Sequence, residues 1–303
     1  MNYKIINQSI LSTHDVPEFF SKEEKFYDYL LSNNVAYYYS KVLSKENTST
    51  EKKIIAAGDK LNEKYIKTLK LIEKIGKDNE IKILLFKTYK YFSEVVDGDI
   101  DLFLRKKDFH LFLKALEEEG FKCWEHEKLK AVCYKKDFCN IEPRVSASFH
   151  GIVVLNESQA WEKVEEVTIN GIKILKTTKE VDLFYLLLNN LYGPNYLRLY
   201  LLLLYKQCDL KKLFALSSAE YIKDLQFLIN SLITNDKENN RFPLFLGNIN
   251  YISWWLKRIL PNDKLTMLIK LKLILFFLYS KYLFIFFDKL VFRHQWPFLK
   301  KNK

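Results

Sequence analysis

Two aspartates one residue apart, Asp99 and Asp101, stand in the segment Val95-Val96-Asp97-Gly98-Asp99-Ile100-Asp101-Leu102-Phe103-Leu104. Along an extended strand, side chains two positions apart point the same way. The spacing therefore predicts two adjacent carboxylates on one face, backed by Ile100, Leu102 and Leu104 on the other. Two carboxylates that close repel each other unless a cation lies between them. A hard divalent ion such as Mg²⁺ suits such a pair, because it keeps several waters and completes its shell with phosphate oxygens. A third acid has similar surroundings. In the segment 138–145, Asn140, Glu142 and Arg144 alternate with Cys139, Ile141 and Val145. If this strand lies beside the aspartate strand, Glu142 completes a triad of the kind that phosphoryl-transfer sites use with divalent metals. Two blander readings apply to the same residues. Alternating charge is ordinary on a half-exposed strand. Asp97, Asp99 and Asp101 also have the spacing that opens a calcium loop, but that loop needs glycine at its sixth position, where Leu102 stands.

The elements that must position these acids follow from periodicity. Residues 17–76 read as helical, most strongly from Lys53 to Ile75, where Ile54, Ala57, Leu61, Tyr65, Leu69 and Ile72 form one apolar stripe. Gly76 is the expected terminator of that helix. Ile81 to Phe86 is a compact apolar run and reads as a buried strand, with the alternating strand from Asp99 to Leu104 after it. A helix over Lys107 to Glu119 shows Phe109, Phe112, Leu113 and Leu116 on its apolar face and stops at Gly120. Lys130 to Tyr134 and Phe138 to Val145 read as strands, and Val164 to Leu175 as a hairpin around Asn170-Gly171. Thr177 and Glu180 have the spacing of a capping box opening a helix at Thr178 to Leu191, and the remainder reads as helices broken near Gly193-Pro194, Asn235 to Asn240 and Pro261.

This order of elements resembles the DNA polymerase β-like nucleotidyltransferase superfamily, and within it the uncharacterised prokaryotic nucleotidyltransferases that carry an N-terminal helical region. The residues that carry the resemblance are the long helix to Ile75, the strand Ile83-Leu84-Leu85-Phe86-Lys87-Thr88, Asp99-Ile100-Asp101-Leu102, the helix ending Glu119-Gly120-Phe121, and Asn140-Ile141-Glu142. The hairpin Gly171-Ile172-Lys173-Ile174-Leu175 and its following helix extend it, so that it covers roughly residues 53–205. It implies an α+β fold: a small mixed-sheet nucleotidyltransferase core over 79–176, flanked by an N-terminal helical region over 1–78 and a C-terminal helical region over 177–303. It implies transfer of a nucleoside monophosphate from an NTP to a hydroxyl of a protein, an RNA or a small molecule. In that scheme Asp99 and Asp101 bind Mg²⁺ or Mn²⁺, and Glu142 is a third metal ligand or the general base. One departure stands out. Where the family's first strand ends on Gly-Gly, Gly-Ser or Lys-Gly, this chain has Phe86-Lys87-Thr88-Tyr89-Lys90. Lys87, Thr88, Lys90 and Ser93 are then the phosphate-binding candidates, through charge and hydroxyl in place of a glycine turn. The same departure fits an alternative, a binding protein of this fold that has lost catalysis.

Composition narrows the field. The chain has 303 residues, a net charge of +11 and only 8 glycines. No two glycines lie closer than Gly58 and Gly76, which excludes a Walker A loop, a dinucleotide fingerprint, a kinase glycine-rich loop and a nucleophile elbow. Cys123, Cys133, Cys139 and Cys208 make no C-x-x-C pair, so no zinc knuckle is expected; no disulfide is required either, which fits a reducing compartment. His110, His126 and His150 lie in or near the core without metal-ligand spacing, and His110 reads as structural or exposed.

Residues 1–16 lack the apolar core of a signal peptide, and the expected location is the cytoplasm. From Asn262 to Lys303 there are nine Lys and Arg against two Asp, with ten aromatics. The stretch from Leu273 to Phe287 is interrupted by Lys281 and is shorter than the about 18 apolar residues a spanning helix needs. A helix over Leu265 to Phe292 packed on the protein is expected, with membrane-surface contact and nucleic-acid contact as the other readings of this basic, aromatic tail.

Overall fold

The computed structural model describes residues 35–44, 48–87, 98–127, 129–149, 152–192, 196–197, 199–216, 219–238 and 244–245, together with Tyr27 and Leu30. The calls on Thr88, Lys90 and Ser93, on His150, on the first helical residues and on the basic C-terminal helix lie outside them.

A helical turn, Ala36–Tyr38, continues as a π turn, Tyr39–Leu43, and meets the long helix α1, Ser49–Asp78. The start of α1 is fixed by a capping box: the Thr48 hydroxyl accepts the Glu51 N–H, and the Glu51 carboxylate accepts the Thr48 N–H. The Tyr37 ring lies so close to α1 that a Cβ on Gly58 would fall 2.1 Å from its Cδ2, and only glycine permits that approach. Gly76 does not end the helix. Two more residues are helical, and the chain turns at Glu80, which takes a left-handed φ of 55°. Ile81 N–H then bonds Gly76 C=O at 2.8 Å, the long bond of a Schellman turn. Gly120 ends its helix as expected: its φ is 86°, and Phe121 N–H bonds Leu116 C=O at 3.0 Å.

Besides a short ribbon of Tyr196–Leu197 and Leu244–Phe245, the described strands are β1, Ile83–Phe86; β2, Asp99–Leu104; β3, Lys122–Glu127; β4, Lys130–Tyr134; β5, Asn140–Arg144; β6, Ala147–Phe149; β7, Ile152–Leu155; β8, Val164–Ile169; and β9, Ile172–Thr177. Seven of them form one mixed sheet in the order β3-β4-β5-β2-β1-β9-β8. β2 runs antiparallel to β1 and parallel to β5, while β1 runs parallel to β9. The fold is α+β with a mixed sheet and helices on both of its faces. The remaining helices are α2, Phe109–Glu118; α3, Glu157–Glu162; α4, Lys179–Tyr192; α5, Leu199–Tyr205; α6, Leu210–Ala215; and α7, Ala219–Glu238.

Strand alternation sorts the core into two. Ile83, Leu85, Ile100, Leu102, Leu104 and Ile141 pack with Leu69 and Ile72 of α1 and with Phe109 and Phe112 of α2. Leu84, Phe86 and Phe103 point the other way, toward Val181, Phe184 and Tyr185 of α4. Thr68, buried within α1, accepts the Cys139 N–H at 3.0 Å and so anchors the entrance to β5.

Sequence spacing foresaw neither β3 nor the bond it carries. Cys123 and Cys133 face each other in the β3–β4 register and form a disulfide. A chain of this size requires no disulfide, but ten residues apart on a hairpin the two cysteines become cross-strand neighbours. Among the described residues no helix is long and apolar enough to cross a membrane.

Candidate active site

Parallel pairing of β2 with β5 sets Asp99 beside Asn140 and Asp101 beside Glu142. In-register neighbours on parallel strands share a face, so the three predicted acids lie together on the α4 side of the sheet. The Asn140 side-chain amide donates to Asp99 Oδ1 at 3.0 Å. Arg144, two residues past Glu142, carries one guanidinium nitrogen that bonds both Asp101 Oδ1 and Glu142 Oε2, the latter at 2.8 Å. A single donor reaching both carboxylates brings Asp101 and Glu142 to one point. Arg144 therefore serves as an ion-pair partner of the acids.

The face is not a solvated one. Asp101 is 4% exposed and Arg144 is 2% exposed. Buried charges persist only when paired and hydrogen-bonded, and α4 completes the pairing. The Tyr185 hydroxyl accepts from Arg144 Nη1 at 3.3 Å. Arg144 Nε has no hydrogen-bond partner among the described residues. Asp182, fully buried, accepts the Lys87 backbone N–H at 3.0 Å and also bonds the Thr177 hydroxyl. That contact fixes Lys87 at the end of β1, and Lys87 Nζ lies 2.8 Å from Asp101 Oδ2. Asp182 and Tyr185 are three apart on α4 and face the site together, a placement that no local spacing around the acids reveals. Glu180, predicted to close a capping box, accepts the Asp209 N–H at 3.1 Å.

The electrostatics follow from this packing. Burial raises the Asp99 pKa, and the negative charge of Asp101 adds to it, against the lowering effect of Asn140 and Lys87. Burial likewise raises Glu142, reinforced by Asp101 and opposed by Arg144 and Lys87. Burial disfavours the Lys87 ammonium, but Asp101, Tyr185 and Glu142 together outweigh it and hold the lysine above its usual range. Burial also raises the Tyr185 hydroxyl, which stays neutral.

The donor set suits a hard divalent ion by its chemistry, because Asp99, Asp101 and Glu142 offer only carboxylate oxygens. Their present arrangement directs them elsewhere. Among the described residues no three such groups converge as metal ligands. The reason is visible at Asp101, where one oxygen is held by Arg144 and the other by Lys87. The Lys87 ammonium thus sits on the acids. His110 is exposed on α2, as expected of a residue outside the site.

No family model matches the sequence, and no curated protein matches it. Two solved structures have a similar chain trace. One is the solution structure of the antibiotic-resistance factor ANT(2'')-Ia, with 12% identity and a TM-score of 0.41 over 57% of this chain and 98% of that one. The other is a crystal structure of ANT(2'')-Ia in complex with adenylyl-2''-tobramycin, with 12% identity and a TM-score of 0.33 over 62% of this chain and 98% of that one. Likeness at this level does not bear on activity.

Proposed function

We propose that the protein is a nucleotidyltransferase, moving a nucleoside monophosphate from an NTP to an acceptor hydroxyl. The observation that carries this reading is the Asp101–Glu142 register, with Asp99 two residues away on the same face. In the reaction the acceptor oxygen bonds to the α-phosphorus, the bond from that phosphorus to the bridging oxygen breaks, and pyrophosphate leaves. Mg²⁺ or Mn²⁺, when bound at Asp99 and Asp101, supplies positive charge against the triphosphate. Glu142 holds the same ion or takes the hydroxyl proton. With Oε2 engaged by Arg144, the proton goes to Oε1, and a carboxylate pKa raised by burial suits a base working near neutral pH. Arg144 keeps Glu142 and Asp101 oriented, and Asn140 does the same for Asp99. Lys87, Thr88, Lys90 and Ser93 would meet the phosphates. The acceptor class is a protein, an RNA or a small molecule, with the basic aromatic tail as a membrane-surface contact.

A second reading is favoured by one observation, the glycine-free end of β1 with Lys87 committed to Asp101: a protein that binds nucleotide without transferring it. Thermal unfolding with each of the four NTPs, with and without Mg²⁺, tests binding. A nucleotide at 100 times its dissociation constant adds about 2.7 kcal/mol, so Tm should rise by several degrees with one NTP and metal together. No rise with any NTP would overturn both readings, and a rise of the same size without metal would overturn the transferase.

A further inference from the structure

Lys87 stands where a metal would be expected to act. Its ammonium is 2.8 Å from Asp101 Oδ2, its side chain is 19% exposed, and its charge is felt by Asp99 and Glu142 as well. Asp101 Oδ1 belongs to the buried Arg144, so the Oδ2 side is where an incoming ion would have to bind. Charge counting gives the same picture. Three carboxylates against Arg144 alone leave two negative charges, which one divalent ion would neutralise; Lys87 cancels one of them.

The backbone supplies an independent observation. Lys87 has a φ of 53°, in the left-handed region that L side chains rarely adopt. A strained conformation of this kind persists only where its surroundings enforce it. Here Asp182 takes the backbone N–H while Asp101 takes the ammonium. The position at which a glycine would be strain-free is occupied by a side chain that delivers a cation to the acids.

We propose that Lys87 is a tethered cation that closes the Asp99–Asp101–Glu142 cluster to divalent metal until the polyphosphate arriving with that metal draws the ammonium away. The inference rests on the metal-nucleotide reading of this site. It makes free metal a weak ligand and metal-nucleotide a strong one, and it makes the same lysine first a lock and then a phosphate contact.

The test is Mn²⁺ binding without nucleotide, followed by the electron paramagnetic resonance of free Mn²⁺. Lys87→Met should bind Mn²⁺ at least about tenfold more tightly than wild type, a factor that corresponds to about 1.4 kcal/mol, and Lys87→Arg should stay as weak as wild type. A second variant guards against misfolding. Lys87→Gln removes the same charge at a similar length and should also bind Mn²⁺ at least about tenfold more tightly than wild type. Equal Mn²⁺ affinity in Lys87→Met and wild type, with nucleotide binding intact, overturns the lock and leaves the transferase reading standing. Absence of Mn²⁺ binding in both overturns the lock together with the metal site. If Lys87→Met does not fold, Lys87→Gln decides: an Mn²⁺ affinity equal to that of wild type contradicts the proposal.

Discussion

Alternate residues of β2 belong to two differently stabilised halves of the molecule. Ile100, Leu102 and Leu104 enter a wholly apolar layer beneath α1 and α2. Asp99, Asp101 and Phe103 face α4, where a buried Asp101, Arg144 and Tyr185 are joined by hydrogen bonds. The apolar side is non-directional, so many residue combinations would satisfy it. The charged side is satisfied only as a set, because removing one member leaves another as an uncompensated buried charge. A fold that needed only stability would not require such a set, and the proposed function uses this face.

The sharpest way to break that contrast is Arg144→Met. It leaves Glu142 without its ion-pair partner and Asp101 with Lys87 alone, and should destabilise the protein by about 3–5 kcal/mol, measured by urea unfolding. A loss below about 1 kcal/mol would mean that the acids find other partners and the set is not interlocked. Leu102→Ala, one position along β2 from Asp101 on the opposite face, should cost about 2–5 kcal/mol through the cavity it leaves. At a temperature where the variant stays folded, NTP-dependent stabilisation should survive it, and loss of that response would show the two faces to be coupled.

The smallest effect has the opposite sign. Asp99 and Glu142 have raised carboxyl pKa values, so the native state holds their protons to higher pH than the unfolded chain does. Stability therefore falls as pH rises from the ordinary carboxylate range, about 4, through the raised native values, and the penalty is complete above them. Asp99→Asn should remove its share, stabilise the protein at pH 7, and flatten the decline of Tm above the ordinary carboxylate range. A variant less stable than wild type at pH 7 would show that the Asn140 and Lys87 contacts of Asp99 outweigh its burial.

Much of this was legible in the sequence where a short-range period governs. Alternation placed Asp99 and Asp101 opposite Ile100 and Leu102, and the same period placed Glu142 and Arg144 together. Asn170-Gly171 announced the β8–β9 turn, with both residues at positive φ in the structure. What was hidden depends on contacts between distant segments. Pairing of Asp101 with Glu142 is set by a parallel register across an intervening helix and two strands. Asp182 reaches Lys87 across 95 positions. The end of α1 misled for a different reason, since Glu80 takes the left-handed turn position that glycine usually fills, while Gly76 serves as the carbonyl acceptor. Burial of the charged face was illegible too, because α4 covers it and nothing in β2 itself records that cover.

The most direct measurement of the central claim is label transfer. Wild-type protein is incubated with each NTP labelled at the α-phosphate, with Mg²⁺ or Mn²⁺, alone and with added RNA. The account predicts label from one NTP on the protein or on an acceptor, dependent on metal and abolished by Asp101→Asn. Transfer of equal extent in Asp101→Asn, or no transfer from any NTP while NTP and metal still stabilise the wild-type fold, would contradict it.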